Sequence, residues 1–139
     1  MTNYRHIAVA MDFSTSSIAA LEKALTFKKD YDAELTIITV VDTNSFGSVE
    51  AYDVLYARQL VEQYETELEK LKAKYEPTYG TIHTKVEQGV AKKILTNIAD
   101  ADLIVCGATG KSAVEKWMLG SISTAIVRHS KIDVYIVRS

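Results

Sequence analysis

The chain predicts an α/β fold: a three-layer α/β/α sandwich around a five-stranded open parallel sheet, as one domain over residues 1–139. Three observations carry that reading. Five short apolar runs alternate with four helical patterns, and such alternation gives a parallel sheet with right-handed crossovers. The runs Leu35–Val41 and Leu103–Cys106 are apolar or β-branched almost throughout, as strands covered on both faces are. Finally, 139 residues with 47% apolar and 24% charged side chains suit one well-buried core and exclude a disordered chain. The third run alternates polar and apolar, as at an edge, and the last strand is expected to be an edge as well. The first and fourth then flank the point where the chain changes direction, and the strand order is 3-2-1-4-5.

The elements follow in order. His6–Met11 is a short buried strand, ending in Asp12-Phe13-Ser14. The hydroxyls from Ser14 to Ser17 suit a helix start, because their oxygens accept the unpaired N–H groups there. Ile18, Leu21, Ala24 and Leu25 then recur at helical spacing, with Lys28 and Lys29 at the favourable C-terminal end. Leu35–Val41 is the second strand, and Asp42–Ser48 a loop by composition. From about Glu50 to Tyr75, Val54, Ala57, Val61, Tyr64, Leu68, Leu71 and Tyr75 form one apolar seam, with Pro77 expected to stop the helix. Its acidic and basic residues occupy the solvated faces. At 1.5 Å per residue this helix would be about 40 Å long, so its first turns overhang the sheet or meet a partner. Thr81–Glu87 alternates, with Ile82 and Val86 on one face and His83, Lys85 and Glu87 on the other, as at a sheet edge. A short helix with Val90, Ile94, Leu95 and Ile98 leads to the fourth strand. A glycine-bearing loop, a helix starting near Ser121 with Ile122, Ala125 and Ile126 on one side, and the strand Asp133–Arg138 complete the chain.

Several function classes fall away. No apolar run approaches the roughly 18 residues that span a bilayer, and the first six residues lack a signal-peptide core, so the expected location is the cytoplasm. The single Cys106 fits a reducing compartment and excludes an intrachain disulfide or a multi-cysteine metal site. A net charge of −2 gives no sign of nucleic-acid binding. His6, His83 and His129 share no motif with a nucleophile and read as structural. Cys106 reads as a buried strand residue. Asp12 lacks the second acid that a phosphoacceptor or a haloacid-type phosphatase needs, since Phe13 and Ser14 follow it.

The stretch from Gly107 to Ser123 is the richest in chemistry. Three of the six glycines fall there, at the end of a buried strand. A helix N-terminus near Ser121 offers unpaired N–H groups and a positive dipole end to an anion. Gly110-Lys111-Ser112 has the ending of a P-loop, but that motif needs glycine at position 106, where Cys106 stands. Lys111 is equally a phosphate partner or a solvated lysine, and Trp117 and Met118 suit core or partner contacts. The dinucleotide fingerprint is absent after the first strand as well.

The spacing Gly107-x2-Gly110-x9-Gly120-Ser121 resembles the nucleotide-binding signature of the universal stress protein family, ATP-binding class. Ala10-Met11-Asp12-Phe13-Ser14, Val40-Val41-Asp42 and Arg128-His129-Ser130-Lys131 with Val134–Val137 resemble other parts of that family in the same order. Ala10 stands where the family usually has proline. The resemblance implies a Rossmann-like, adenine nucleotide alpha hydrolase-like fold and ATP as ligand, with or without magnesium or another divalent cation on its phosphates. It implies that Asp12 accepts from ribose hydroxyls or adenine, that Val40 lends backbone groups to the adenine edge, and that Ala10 and Met11 pack on the ring. Gly107, Thr109 and Gly110 would give N–H groups to the phosphates. Gly120, Ser121 and Ser123 would hold phosphate oxygens, with Ile122 in the same turn. No catalytic residues are implied, and a nucleotide-sensing stress-response module is expected, with a weak ATP hydrolase or phosphotransferase as the alternative. A homodimer is expected through the C-terminal strand, which is apolar on both faces and would otherwise be an open edge.

Overall fold

A computed structural model of the chain describes residues 3–42, 54–109 and 119–138. Its elements are β1 (His6–Ala10), α1 (Thr15–Tyr31), β2 (Glu34–Asp42), α2 (Val54–Tyr79), β3 (His83–Gly89), α3 (Ala91–Thr96), β4 (Leu103–Gly107), α4 (Ser121–His129) and β5 (Asp133–Val137). All strand pairs are parallel and the sheet order is β3-β2-β1-β4-β5. The expected architecture and strand order are both present.

The alternation of side chains along each strand divides the core in two. Ile7, Val9, Leu35, Ile37, Leu103 and Val105 point to one face, where Leu21 and Leu25 of α1 and Leu68 of α2 cover them. Ala8, Ile38, Ile104 and Cys106 point to the other, beneath Leu95 of α3 and Ile126 of α4. A fully buried leucine of this kind contributes about 1.5–3 kcal/mol relative to exposure.

Local chemistry sets the element ends. Ser14 caps α1, its hydroxyl accepting from the Ser17 N–H at 3.1 Å. Asp32 closes α1 in the left-handed region (φ 52°), after Lys28 and Lys29 in the last turn. At the bottom of the sheet, the Asp102 carboxylate accepts from the N–H groups of Arg5 and His6, at 2.9 and 3.1 Å. Burial alone would raise the Asp102 pKa, but those N–H groups outweigh it and hold the carboxyl below its ordinary value. Beside it the Tyr4 hydroxyl donates to Asp133 Oδ2 at 2.6 Å, tying the first residues to the start of β5.

One expectation needs correcting. Pro77 does not stop the long helix: α2 runs on to Tyr79 with Pro77 inside it. Proline in the last turn forfeits only one hydrogen bond to the carbonyl four residues back. The helix ends instead at Gly80, whose left-handed φ of 84° lets its N–H close on the Glu76 carbonyl at 2.9 Å. The expected loop Asp42–Ser48 and the helix start near Glu50 lie mostly outside the described residues. Of α2, only Ala57 and Leu68 are buried.

Candidate functional site

Beyond the C-terminal ends of β1 and β4 the chain departs to opposite faces of the sheet. From β1 it enters α1 on one side; α4, which follows β4 in the fold, lies on the other. That divergence opens a crevice of the kind where open α/β sheets take ligands.

The β4 side is a latched loop base. Ala108 continues the ladder, its N–H donating to Val137 at 2.9 Å, and its carbonyl accepts from the Gly120 N–H at 2.8 Å. One turn on, the buried Ser123 hydroxyl donates to the Gly107 carbonyl at 2.7 Å. Two hydrogen bonds therefore fix where α4 begins relative to the strand end. Gly120 is the N-cap of α4, in extended conformation (φ −67°, ψ 167°), and among the described residues no side chain caps the helix. The N–H groups of its first turn have no partner within the helix. The exposed Ser121 stands beside them.

Gly107 is glycine for a reason that lies behind the crevice. A Cβ there would fall 2.1 Å from the Ser16 hydroxyl oxygen and 2.7 Å from the Ser16 carbonyl carbon and oxygen. The first turn of α1 packs directly on the strand end. Ser16 is itself buried, and its oxygen accepts the Thr109 N–H at 3.3 Å. In this arrangement the Thr109 and Gly120 N–H groups both have protein partners. The Ser123 hydroxyl proton is committed to Gly107. Among the described residues, the donors left for an anion at the start of α4 are its first-turn N–H groups and the Ser121 hydroxyl. Gly110, Lys111, Trp117 and Met118 lie outside the described residues.

On the β1 side, Asp12 is exposed, and its Oδ1 accepts from the Ser14 N–H at 3.0 Å and from the Ser14 hydroxyl. This turn leads into α1. The second carboxylate oxygen makes no hydrogen bond among the described residues. Phe13 adopts φ 64°, a conformation that strains a non-glycine residue. Its ring then stacks on Tyr64 of α2, with centroids 5.7 Å apart.

The sequence-predicted apolar residues separate. Ala10, Val40 and Ile122 are half-buried on the same face, at the margin of the core beneath α3 and α4. Met11 points the other way and is 3% exposed, within the core beneath α1 and α2. Its sulfur accepts from the Phe13 N–H and the Ser17 hydroxyl, both at 3.3 Å. A planar ring lying on the α4 side would touch Ala10 and not the Met11 side chain.

Cys106 lies beneath α4, and burial pushes its thiol up to about 12, so it holds no thiolate near neutrality. His6 contacts the Thr36 hydroxyl at 2.7 Å and His83 lies 3.7 Å from Glu34, both away from the crevice. Ser16 is the contributing residue that sequence reasoning passed over, having grouped it with the helix-capping hydroxyls. Its signal was a small polar residue on the stripe that continues through Ala20 and Ala24, where a strand end must come close. Among the described residues no helix is long and apolar enough to cross a membrane.

The chain matches the model of the Universal stress protein family over residues 3–138. It is 36% identical over 146 residues to a Staphylococcus saprophyticus protein named as a universal stress protein, covering 100% of this chain and 86% of that one. The fold superposes on the universal stress protein UspA from Lactobacillus plantarum with a TM-score of 0.82, at 22% identity, covering 99% of this chain and 100% of the other. A universal stress protein solved in complex with cAMP aligns with a TM-score of 0.64 at 26% identity, over 99% of this chain and 98% of that one.

Proposed function

The chain belongs to the universal stress protein family, and from that premise we propose that it binds an adenine nucleotide, ATP, in the crevice between the ends of β1, β2 and β4 and the start of α4. The observation that carries the reading is the uncapped N-terminus of α4, hydrogen-bonded in place at the strand end through Gly120 and Ser123. A nine-residue helix held this way offers its unpaired N–H groups and positive dipole end to phosphate oxygens without a basic side chain. Half-buried Ala10, Val40 and Ile122 supply an apolar margin for the adenine. Asp12, with one carboxylate oxygen left over, accepts from the ribose hydroxyls. Gly110 belongs to this reading by its place in the glycine spacing. A divalent cation bound with the nucleotide would neutralise part of the phosphate charge.

The protein acts in this reading as a cytoplasmic nucleotide-sensing module. Binding raises stability with the logarithm of ligand concentration once that exceeds the dissociation constant, and no base among the placed residues points to turnover. A second copy pairs along β5, where Val134, Tyr135 and Ile136 leave apolar side chains partly exposed on both faces. A monomeric mass by light scattering at micromolar concentration would contradict that pairing.

A second reading, cAMP in place of ATP, is favoured by the complexed family member at 26% identity. Calorimetry with ATP plus magnesium and with cAMP separates the two. Chromatography of the small molecules released on denaturing freshly purified protein tests both. Tighter binding of ATP is expected, and a protein that releases and binds no adenine nucleotide sinks the proposal. Phosphate release that scales with protein and disappears in Asp12→Ala would instead favour the hydrolase alternative.

A further inference from the structure

Among the described residues two that are not glycine have positive φ, Phe13 and Asp32. Asp32 closes α1, where the left-handed region is ordinary. Phe13 stands between Asp12 and the start of α1, and a large side chain at φ 64° is strained where asparagine or glycine would not be. The cap itself is ordinary: Ser14 has extended backbone (φ −73°, ψ 160°) and accepts the Ser17 N–H. What offsets the strain is the ring. It packs against the core beneath α1 and α2 and stacks on half-buried Tyr64, with 23° between the planes. The φ torsion of Phe13 lies between Asp12 and Ser14. Turning it moves the Asp12 carboxylate away from the Ser14 N–H and hydroxyl, the groups that fix its Oδ1. One rotation therefore links a ring seated on α2 to an exposed carboxylate at the crevice.

We propose that Phe13 and Tyr64 are positioning residues for Asp12: their stack holds the strained turn, and the turn aims the second carboxylate oxygen at the ribose hydroxyls. Strain at a site is retained where surrounding contacts over-determine it, and here those contacts come from another helix. The inference rests on the nucleotide reading for its ribose, and it assigns the choice between a ribose and a sugar without hydroxyls to a side chain on α2 that touches no ligand. A relaxed turn leaves the start of α4 free to take phosphates. Sugar selectivity then falls while phosphate binding stays.

The experiment compares the whole chain with Tyr64→Ala, Tyr64→Phe and the double variant Phe13→Asn with Tyr64→Ala. The three-bond coupling between the amide and α protons of residue 13 reads φ without nucleotide. Calorimetry with ATP and with 2′,3′-dideoxy-ATP, both with magnesium, reads the sugar preference. The parent should prefer ATP. Tyr64→Ala should shift the coupling and cut that preference about fivefold, the worth of one aromatic pair, by weakening ATP alone. Tyr64→Phe keeps the stack and should leave both readings unchanged. Adding Phe13→Asn to Tyr64→Ala should restore the preference, because asparagine holds a left-handed φ without a ring; lost packing alone would give no such rescue. An unmoved coupling in Tyr64→Ala, an unchanged preference, or equal losses for the two nucleotides would each overturn the proposal. A parent that binds neither nucleotide fails the nucleotide reading itself and takes the proposal with it, whereas a parent that prefers ATP, and still does so in Tyr64→Ala, fails the proposal alone.

Discussion

Replacing Gly107 with alanine separates two reasons for a glycine at the end of β4. The added Cβ would lie 2.1 Å from Ser16 Oγ and 2.7 Å from the Ser16 carbonyl carbon and oxygen. The hydroxyl can rotate away, but the carbonyl belongs to the first turn of α1. That helix is held by Ala20, Leu21, Ala24 and Leu25, all at 0% exposure. Relief therefore requires α1 to lift from the sheet, loosening part of the core. Overpacking of a tight interior costs about 1–3 kcal/mol, and a backbone obstacle points to the upper end. With a urea m-value of about 2 kcal/mol/M, a loss of about 3 kcal/mol lowers the unfolding midpoint by about 1.5 M. The assay is urea unfolding followed by circular dichroism, without nucleotide. Adding Ser16→Gly to Gly107→Ala should recover part of the loss, because it removes the hydroxyl contact and leaves the backbone one. A midpoint within about 0.2 M of the parent would refute the packing argument. Gly107 would then be glycine only for the sake of a ligand's approach.

Other consequences follow from the ionisable groups. The folded Asp102 pKa is depressed, so its stabilisation is present above the unfolded carboxyl value and lost as pH falls through the folded one. Asp102→Asn should cost about 1–2 kcal/mol at pH 7, and the gap to the parent should narrow in unfolding curves as pH falls below the ordinary carboxylate range. Tyr4 is the reverse case. Its hydrogen bond to the Asp133 carboxylate, then burial, pushes its pKa up to about 12. Its contribution is full below about pH 10, the unfolded tyrosine value, and fades as pH rises toward 12. Tyr4→Phe should remove a phenol that ionises at about 12 from an ultraviolet titration and weaken the alkaline loss of stability. Cys106 should resist a thiol reagent in the native protein and react fully in denaturant. Rapid native labelling would show the layer beneath α4 to be open.

The fold was legible because its strands are written in long β-branched runs. Leu35–Val41 and Leu103–Cys106 leave little choice but a covered parallel sheet, and the half-polar face of His83, Lys85 and Glu87 marked an edge. The start of α4 was legible too, since Gly120-Ser121 carries the residues that begin a helix. What escaped depends on contacts between residues far apart in sequence. Ser16 and Gly107 meet only because α1 crosses the end of β4. The role of Asp102 under Arg5 and His6 requires knowing that β1 and β4 are neighbours. Met11 and Ala10 were grouped as one surface, yet strand alternation continued past the end of β1 sends them to opposite faces. Pro77 misled because the rule against proline inside helices is weakest where few hydrogen bonds remain to be lost.

The most direct measurement is an amide spectrum of the assigned protein titrated with ATP and magnesium. The account predicts saturable shifts confined to Asp12, Val40, Thr109 and Gly120 to Ser123, with the Ser121 and Ile122 amides moving furthest because their N–H groups face the phosphates. No shifts at these residues, or shifts elsewhere on the sheet, would contradict the claim that the uncapped start of α4 is the anion-binding end of a nucleotide site.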